Sequence, residues 1–300
     1  MQNFKSGFVS IIGRTNVGKS TLVNSLVGEK VAITANKCQT TRTAIRAIIN
    51  REHSQIIFID TPGIHKPKTK LGDTMLETVW TTIPTCDITL FLIDANSQKI
   101  GTGDRIILDK IKELKQKTIL VINKIDLVQK EKLLKLIELY KNEYKFEAII
   151  PISATENENT EVILEEIEKA LPEGPAYYDI DEYTDQTERQ MVEEIIREKA
   201  LKLLDEEVPH GIYVETQKMK LRKTAKKEDI YDIEATIYCL RESHKGIIIG
   251  KNGEKLKKIG MYARQDIERM LQKKVNLKIW VKVKENWQDN NSIVSKFKLK

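Results

Sequence analysis

Apolar and polar positions along the chain fall into two successive patterns. Up to residue 172, short apolar runs at 8–12, 88–94, 118–123 and 146–152 alternate with stretches of helical spacing at 103–114, 130–144 and 160–171. Two further runs, 44–50 and 54–60, flank the polar Arg51-Glu52-His53 and read as a hairpin. Strand and helix alternating in this way predict an α/β domain, a mostly parallel sheet with helices on both faces. Beyond it the order changes. A helix over 188–205 precedes strand-like runs at 212–219 and 230–240, the second with Ile233, Ala235, Ile237 and Cys239 on one face. A short apolar helix, a longer one to about residue 271 and a strand over 275–283 follow, which predicts an α+β domain. Pro172, Gly174 and Pro175, then an acidic stretch to Asp185, mark a linker between them. The expected division is therefore 1–172, a linker at 173–185, a second domain at 186–285 and a basic tail at 286–300.

Composition sharpens the second half only. The 300 residues are 40% hydrophobic and 31% charged, with net charge +6. From 208 onward, 22 Lys and Arg face 11 Asp and Glu, so that third suits a polyanionic partner. Cys38, Cys86 and Cys239 form no C-x-x-C pair, which argues against a disulfide framework or a zinc site. No apolar run approaches the length of a membrane span, and a cytoplasmic protein is expected, with room for contact at a membrane surface.

Chemistry concentrates after the strands. Gly13-Arg14-Thr15-Asn16-Val17-Gly18-Lys19-Ser20 fits G-x-x-x-x-G-K-[ST] between a strand and the helix opening at Ser20-Thr21. Its glycines let successive N–H groups point at nucleotide phosphates, Lys19 reaches the outer phosphates, and Ser20 offers a hydroxyl to Mg²⁺. Asp60-Thr61-Pro62-Gly63 follows a strand, with Asp60 placed to hold Mg²⁺ through water and the Gly63 N–H free for a γ-phosphate. Asn123-Lys124-Ile125-Asp126 supplies base choice: a carboxylate accepts from guanine N1–H and its 2-amino group, and adenine has neither donor. GTP is expected rather than ATP, with a backbone N–H of Ser153-Ala154 behind the guanine O6. The polar segment 36–43 is the expected first switch, with Thr40 and Thr41 both open as the Mg²⁺ ligand, and 64–82 the second. Ile64 stands where many GTPases carry a water-orienting glutamine, and its side chain cannot hydrogen-bond water. Arg14 and Arg42 are weak candidates for an arginine finger, and His65 a weak one for a base.

In the basic third, Gly250-Lys251-Asn252-Gly253 joins two helices. Glycine at both ends lets this loop approach a nucleic-acid backbone. Lys251, Lys255, Lys257 and Lys258 supply charge, and neighbouring apolar surface can hold unstacked bases.

The set G-R-T-N-V-G-K-S, Q-T-T-R, D-T-P-G-I, N-K-I-D and S-A resembles the TrmE-Era branch of the translation-factor-like GTPases, with Thr15 where that branch usually has proline. The second half resembles a KH domain of the bacterial kind. The combined resemblance implies hydrolysis of GTP to GDP at a slow intrinsic rate. It also implies binding to 16S ribosomal RNA near its 3′ end, assistance to 30S subunit assembly, a monomer, and peripheral contact with the inner membrane. It further implies that Asn16 holds a K⁺ in place of an arginine finger, although the residue reads equally well as a loop brace. A tRNA-modifying GTPase of the same branch would need a cysteine near the C-terminus, where this chain has Lys296-Phe297-Lys298-Leu299-Lys300. A membrane-associated signalling GTPase whose last domain binds protein or lipid is the remaining alternative.

Overall fold

The computed structural model describes residues 4–35, 37 and 39–297. Asn36 and Cys38 of the expected first switch, and Lys298, Leu299 and Lys300 of the expected tail, lie outside the described residues. The chain divides into two compact units, Met1–Ala32 with Thr41–Asp185 and Ser295–Lys300, and Ile33–Thr40 with Gln186–Val294.

The first unit runs β1 (Lys5–Gly13), α1 (Lys19–Val27), β2 (Ile45–Asn50), β3 (Ser54–Asp60), α2 (Lys70–Thr82), β4 (Ile88–Asp94), α3 (Thr102–Leu114), β5 (Thr118–Asn123), α4 (Lys130–Lys141), β6 (Ala148–Ile152) and α5 (Thr160–Ala170). The sheet order is β2-β3-β1-β4-β5-β6, and only the β2/β3 pair is antiparallel. Strand β1 shows why helices lie on both faces. Val9 and Ile11 pack with Leu22 of α1 and Ile163 of α5, whereas Ile12 packs with Val79 of α2, Ile107 of α3 and Leu136 of α4. Alternate side chains of one strand thus feed two cores. Because β1 lies between β3 and β4, the order reverses at its carboxyl end, where ligands of open α/β sheets bind.

The expected second switch and the expected linker both take defined structure. Most of 64–82 is the helix α2, which buries Leu71, Met75 and Val79 and is capped by the Thr69 hydroxyl accepting from Gly72 N–H. Threonines disguise it in the sequence. The hydroxyls of Thr78, Thr81 and Thr82 each donate to a carbonyl four residues back, a bond that weakens helix preference without preventing a helix with a buried face. The expected linker is stitched to the first unit: Gln55 Oε1 accepts from the Tyr177 and Tyr178 N–H groups at 2.7 and 3.0 Å, and Ile48 N–H donates to Tyr183 O at 3.0 Å.

The second unit contains α6 (Glu188–Leu203), β7 (Tyr213–Lys223), β8 (Asp229–Cys239), α7 (Glu242–Ile249), α8 (Glu254–Leu271), β9 (Lys274–Val283) and α9 (Asn291–Val294). Strand β8 is central, antiparallel to β7 and parallel to β9. Helices α6, α7 and α8 cover one sheet face, where Ile196, Ile248 and Ile259 meet Ile233, Ala235 and Ile237. Thr187 and Gln190 form a capping box that sets the start of α6. The expected tail is structured near its start, since Trp287 is buried against Tyr213 and donates from Nε1 to Gly211 O at 2.9 Å.

Residues 33–40 also belong to this unit. Thr34 N–H donates to Glu198 Oε1 at 3.1 Å, Arg197 donates to Thr40 O, and Lys37 pairs with Asp205 at 3.1 Å. Arg197 and Glu198 are both buried.

Candidate nucleotide site and nucleic-acid interface

The carboxyl ends of β1, β3 and β5 bring the expected loops together. Gly18 lies so close to β5 that a Cβ there would meet Asn123 Nδ2 at 2.2 Å. Asn123 ties three motifs into one body. Its Nδ2 donates to Val17 O at 2.9 Å, and its Oδ1 accepts from Lys124 N–H at 2.8 Å and Ala154 N–H at 3.0 Å. Ser153 N–H is held by Glu158 O and Ala154 N–H by Asn123, so neither expected O6 donor is uncommitted in the structure. Lys124 Nζ spans Asn16 O at 2.9 Å and Asp94 Oδ2 at 2.6 Å. Burial opposes the Asp94 charge, but Lys124 and Asn96 outweigh it and hold the carboxyl below its ordinary range. Asp126, in the turn Ile125–Leu127, is exposed, and its carboxylate has no partner among the described residues.

Beneath the loop, three oxygens converge. Ser20 Oγ lies 2.8 Å from both Thr41 Oγ1 and Asp60 Oδ2, and Thr41 Oγ1 lies 3.4 Å from Asp60 Oδ2. Thr40 takes no part, because its hydroxyl donates to Ala35 O at 3.1 Å and Lys37 O at 2.6 Å. Asp60 is fully buried and its Oδ1 has no hydrogen-bond partner among the described residues. Burial raises its pKa, against the pull of Lys19, Ser20 and Thr41. An unsatisfied carboxylate oxygen beside two hydroxyls is a hard-oxygen donor set that fits Mg²⁺. Lys19 Nζ donates to Gly13 O at 3.2 Å and Arg14 O at 3.0 Å, and burial pushes its ammonium down to about 8 while Asp60 resists.

The D-T-P-G segment is shaped by approach. A Cβ on Gly63 would meet Thr15 Cα at 2.8 Å, and the Gly63 N–H has no partner among the described residues. Buried Thr61 only braces, donating to Ile11 O at 2.7 Å, and Pro62 is buried beside it. The Ile64 side chain turns into the core with Ile12 and Val79, while its N–H donates to Gly13 O at 3.1 Å. Neither arginine candidate keeps its expected role. Arg14 is drawn to α3, with Nε to Asp104 Oδ1 and Nη2 to Ser97 Oγ both 2.9 Å, and Arg42 is buried. His65 Nδ1 lies 2.9 Å from Gly63 O. The Asn16 side chain is exposed on a residue with φ 64°, and its amide has no partner among the described residues.

In the second unit, the turn Lys251–Gly253 joins α7 to α8, with Gly250 and Gly253 at φ 74° and 77°. A Cβ on Gly250 would meet Lys255 Cβ at 2.8 Å, whereas Gly253 opens to free space. Lys251, Asn252, Lys257 and Lys258 are exposed and Lys255 half-buried, and none of these lysines has an ion pair among the described residues. Ile247, Met261 and Tyr262 on the two helices are exposed apolar surface that the motif alone does not single out. Their signal is position on a helical face, which names a surface only once the packed face is known.

Comparisons with known proteins follow this division. Residues 8–124 match a family model described as "50S ribosome-binding GTPase", and residues 207–288 match one described as "KH domain". GTPase Era of Caldanaerobacter subterraneus is 53% identical over 293 residues, covering 98% of this chain and 97% of that protein. The chain belongs to the GTPase Era family. The Era of Clostridioides difficile is 52% identical, with 98% of each chain covered. Among solved structures, a point variant of Aquifex aeolicus Era bound to GDP·AlF₄⁻ is 40% identical with a TM-score of 0.93, covering 98% of this chain and 99% of that one. A second Era structure, in complex with MgGDPNP and nucleotides 1506–1542 of 16S ribosomal RNA, has the same identity and TM-score and covers 98% of each chain. The fold is thus a P-loop GTPase domain and a KH domain.

Proposed function

We propose that the chain binds GTP with Mg²⁺ and hydrolyses it to GDP. In this reading it also binds 16S ribosomal RNA near its 3′ end through the KH unit and assists 30S subunit assembly. The observation that carries the reading is the convergence of Ser20, Thr41 and Asp60 beneath the loop, with the Asp60 Oδ1 left unsatisfied. Mg²⁺ held there would offset phosphate charge. Lys19 exchanges its two carbonyls for phosphate oxygens, the Gly63 N–H meets the γ-phosphate, and Asp126 accepts from guanine. With Ile64 packed in the core, water is positioned by backbone groups, which favours a slow intrinsic rate. Asn16, its amide exposed, serves a K⁺ at the loop in this reading, so hydrolysis runs faster in K⁺ than in Na⁺. The protein works as a cytoplasmic monomer with peripheral contact to the membrane. No described helix is long and apolar enough to cross one.

Replacement of the two threonines tests the reading. Thr41→Ala lowers kcat for GTP about a hundredfold and raises the Mg²⁺ needed for half activity, whereas Thr40→Ala stays within about threefold. Equal losses in both variants would refute the assigned ligand set.

A further inference from the structure

The KH loop lies between helices, but the second unit carries another basic surface. Strand β9 alternates strictly. Val275, Leu277, Ile279 and Val281 pack into the helix-covered core, which turns Lys274, Asn276, Lys278, Trp280 and Lys282 to the opposite face of the sheet. Trp280 is 44% exposed, and its indole N–H has no hydrogen-bond partner among the described residues. A single exposed aromatic means little by itself, and what gives this one weight is the charge on either side of it.

Charge on this face is sorted. On β7 and β8 the opposite signs cancel across strands, Lys218 with Glu234 at 3.5 Å and Arg222 with Asp232 at 2.6 Å. Lys278 and Lys282, which flank Trp280 two residues to either side, have no ion pair among the described residues. Consecutive outward positions on a strand lie about 7 Å apart, so an aromatic platform stands between two uncommitted cations. That combination of a stacking surface and phosphate-seeking charge is how single-stranded nucleic acid is held without base-specific hydrogen bonds. An anionic lipid surface could use the same indole and lysines, since tryptophan also favours membrane interfaces, but the KH match over 207–288 favours RNA, and loss of binding to anionic vesicles with RNA affinity unchanged in the sheet variants would assign the face to lipid instead.

We propose that the outer face of the KH sheet, at Trp280, Lys278 and Lys282, is a second RNA-binding surface that stacks an unpaired base and contacts its flanking phosphates. The proposal deepens the RNA-binding reading above and assigns to that RNA a path beyond the glycine loop.

The test measures affinity of the full chain for RNA of nucleotides 1506–1542 of 16S ribosomal RNA over a salt series. Trp280→Ala weakens binding about tenfold, and Trp280→Phe, which keeps a ring, stays within about twofold of the parent. Lys278→Gln with Lys282→Gln flattens the slope of log affinity against log salt by about 1.4, two single-strand phosphate contacts. Ultraviolet crosslinking places RNA on Trp280. Lys251→Glu with Asn252→Asp reports separately on the glycine loop. Loss in the loop variant with affinity and salt slope unchanged in both sheet variants overturns this proposal and leaves the KH reading standing. Loss in the sheet variants alone upholds the proposal and removes the loop from the reading. Unchanged affinity in every variant overturns it, as does a Trp280→Ala variant that fails only on assembled 30S subunits, which would assign the face to a protein.

Discussion

The nucleotide site and the KH loop are both glycine-built phosphate readers, yet they are opposites in construction. At the first, each glycine is pressed against a neighbour, the lysine is buried, and one asparagine side chain ties Val17, Lys124 and Ala154 together. At the second, Gly253 opens to free space and the lysines stand unpaired. A buried, braced site selects one ligand by geometry and strengthens every charge inside it. An exposed one works through charge in water, is screened by salt, and tolerates many sequences.

One methyl group added to each site tests that contrast most severely. Gly18→Ala drives a Cβ to 2.2 Å from Asn123 Nδ2 at a residue with φ 99°, and costs on the order of 4 kcal/mol of nucleotide binding, about a thousandfold by calorimetry. Gly253→Ala meets no atom and pays only for its positive φ, about 1 kcal/mol in thermal unfolding. Equal costs would dissolve the distinction. Asp126→Asn comes next: GTP affinity falls by roughly a hundredfold and xanthosine triphosphate binding appears, because the amide donates to the xanthine 2-oxo group. Unaltered GTP binding would remove Asp126 from the base site.

Lys19 gives a smaller, pH-dependent effect. Its folded value of about 8 lies below the ordinary 10.5, so the contribution of its neutral form is present above 10.5 and lost as pH falls through 8. The nucleotide-free chain therefore gains on the order of 2 kcal/mol in urea unfolding between pH 8 and 10. Lys19→Met flattens that slope, and a parent without the slope would contradict the buried ammonium. The smallest effect belongs to the open site. Lys251→Gln weakens RNA binding a few-fold and reduces the salt slope by about 0.7.

Much of the nucleotide site is legible in the sequence alone, for a physical reason. The loop Gly13–Ser20, Asp60–Gly63 and Asn123–Asp126 are runs in which neighbouring residues share one task, so their spacing announces it. What stays hidden depends on residues far apart in sequence. Arg14 looks available until Asp104, ninety positions on, is found at its guanidinium. Thr40 and Thr41 are adjacent and chemically identical, and only the positions of Ser20 and Asp60 separate them. Ser153 and Ala154 do lie beside the site, but their N–H groups serve Glu158 and Asn123. Helix α2 is masked because its exposed and buried threonines alike favour other conformations.

Residues 33–40 make the KH unit discontinuous, since Glu198 and Arg197 are buried where they hold Thr34 and Thr40. The unit is therefore not a cassette. A gene cut at codon 186 removes the segment that covers these two side chains and takes part of their hydrogen bonding, leaving Arg197 with Glu194, and Glu198 with Lys199 and Lys202, newly open to water. Recombination within the family that exchanged the second half alone would have to carry the 33–40 segment with it, so these two stretches of the gene are expected to change together.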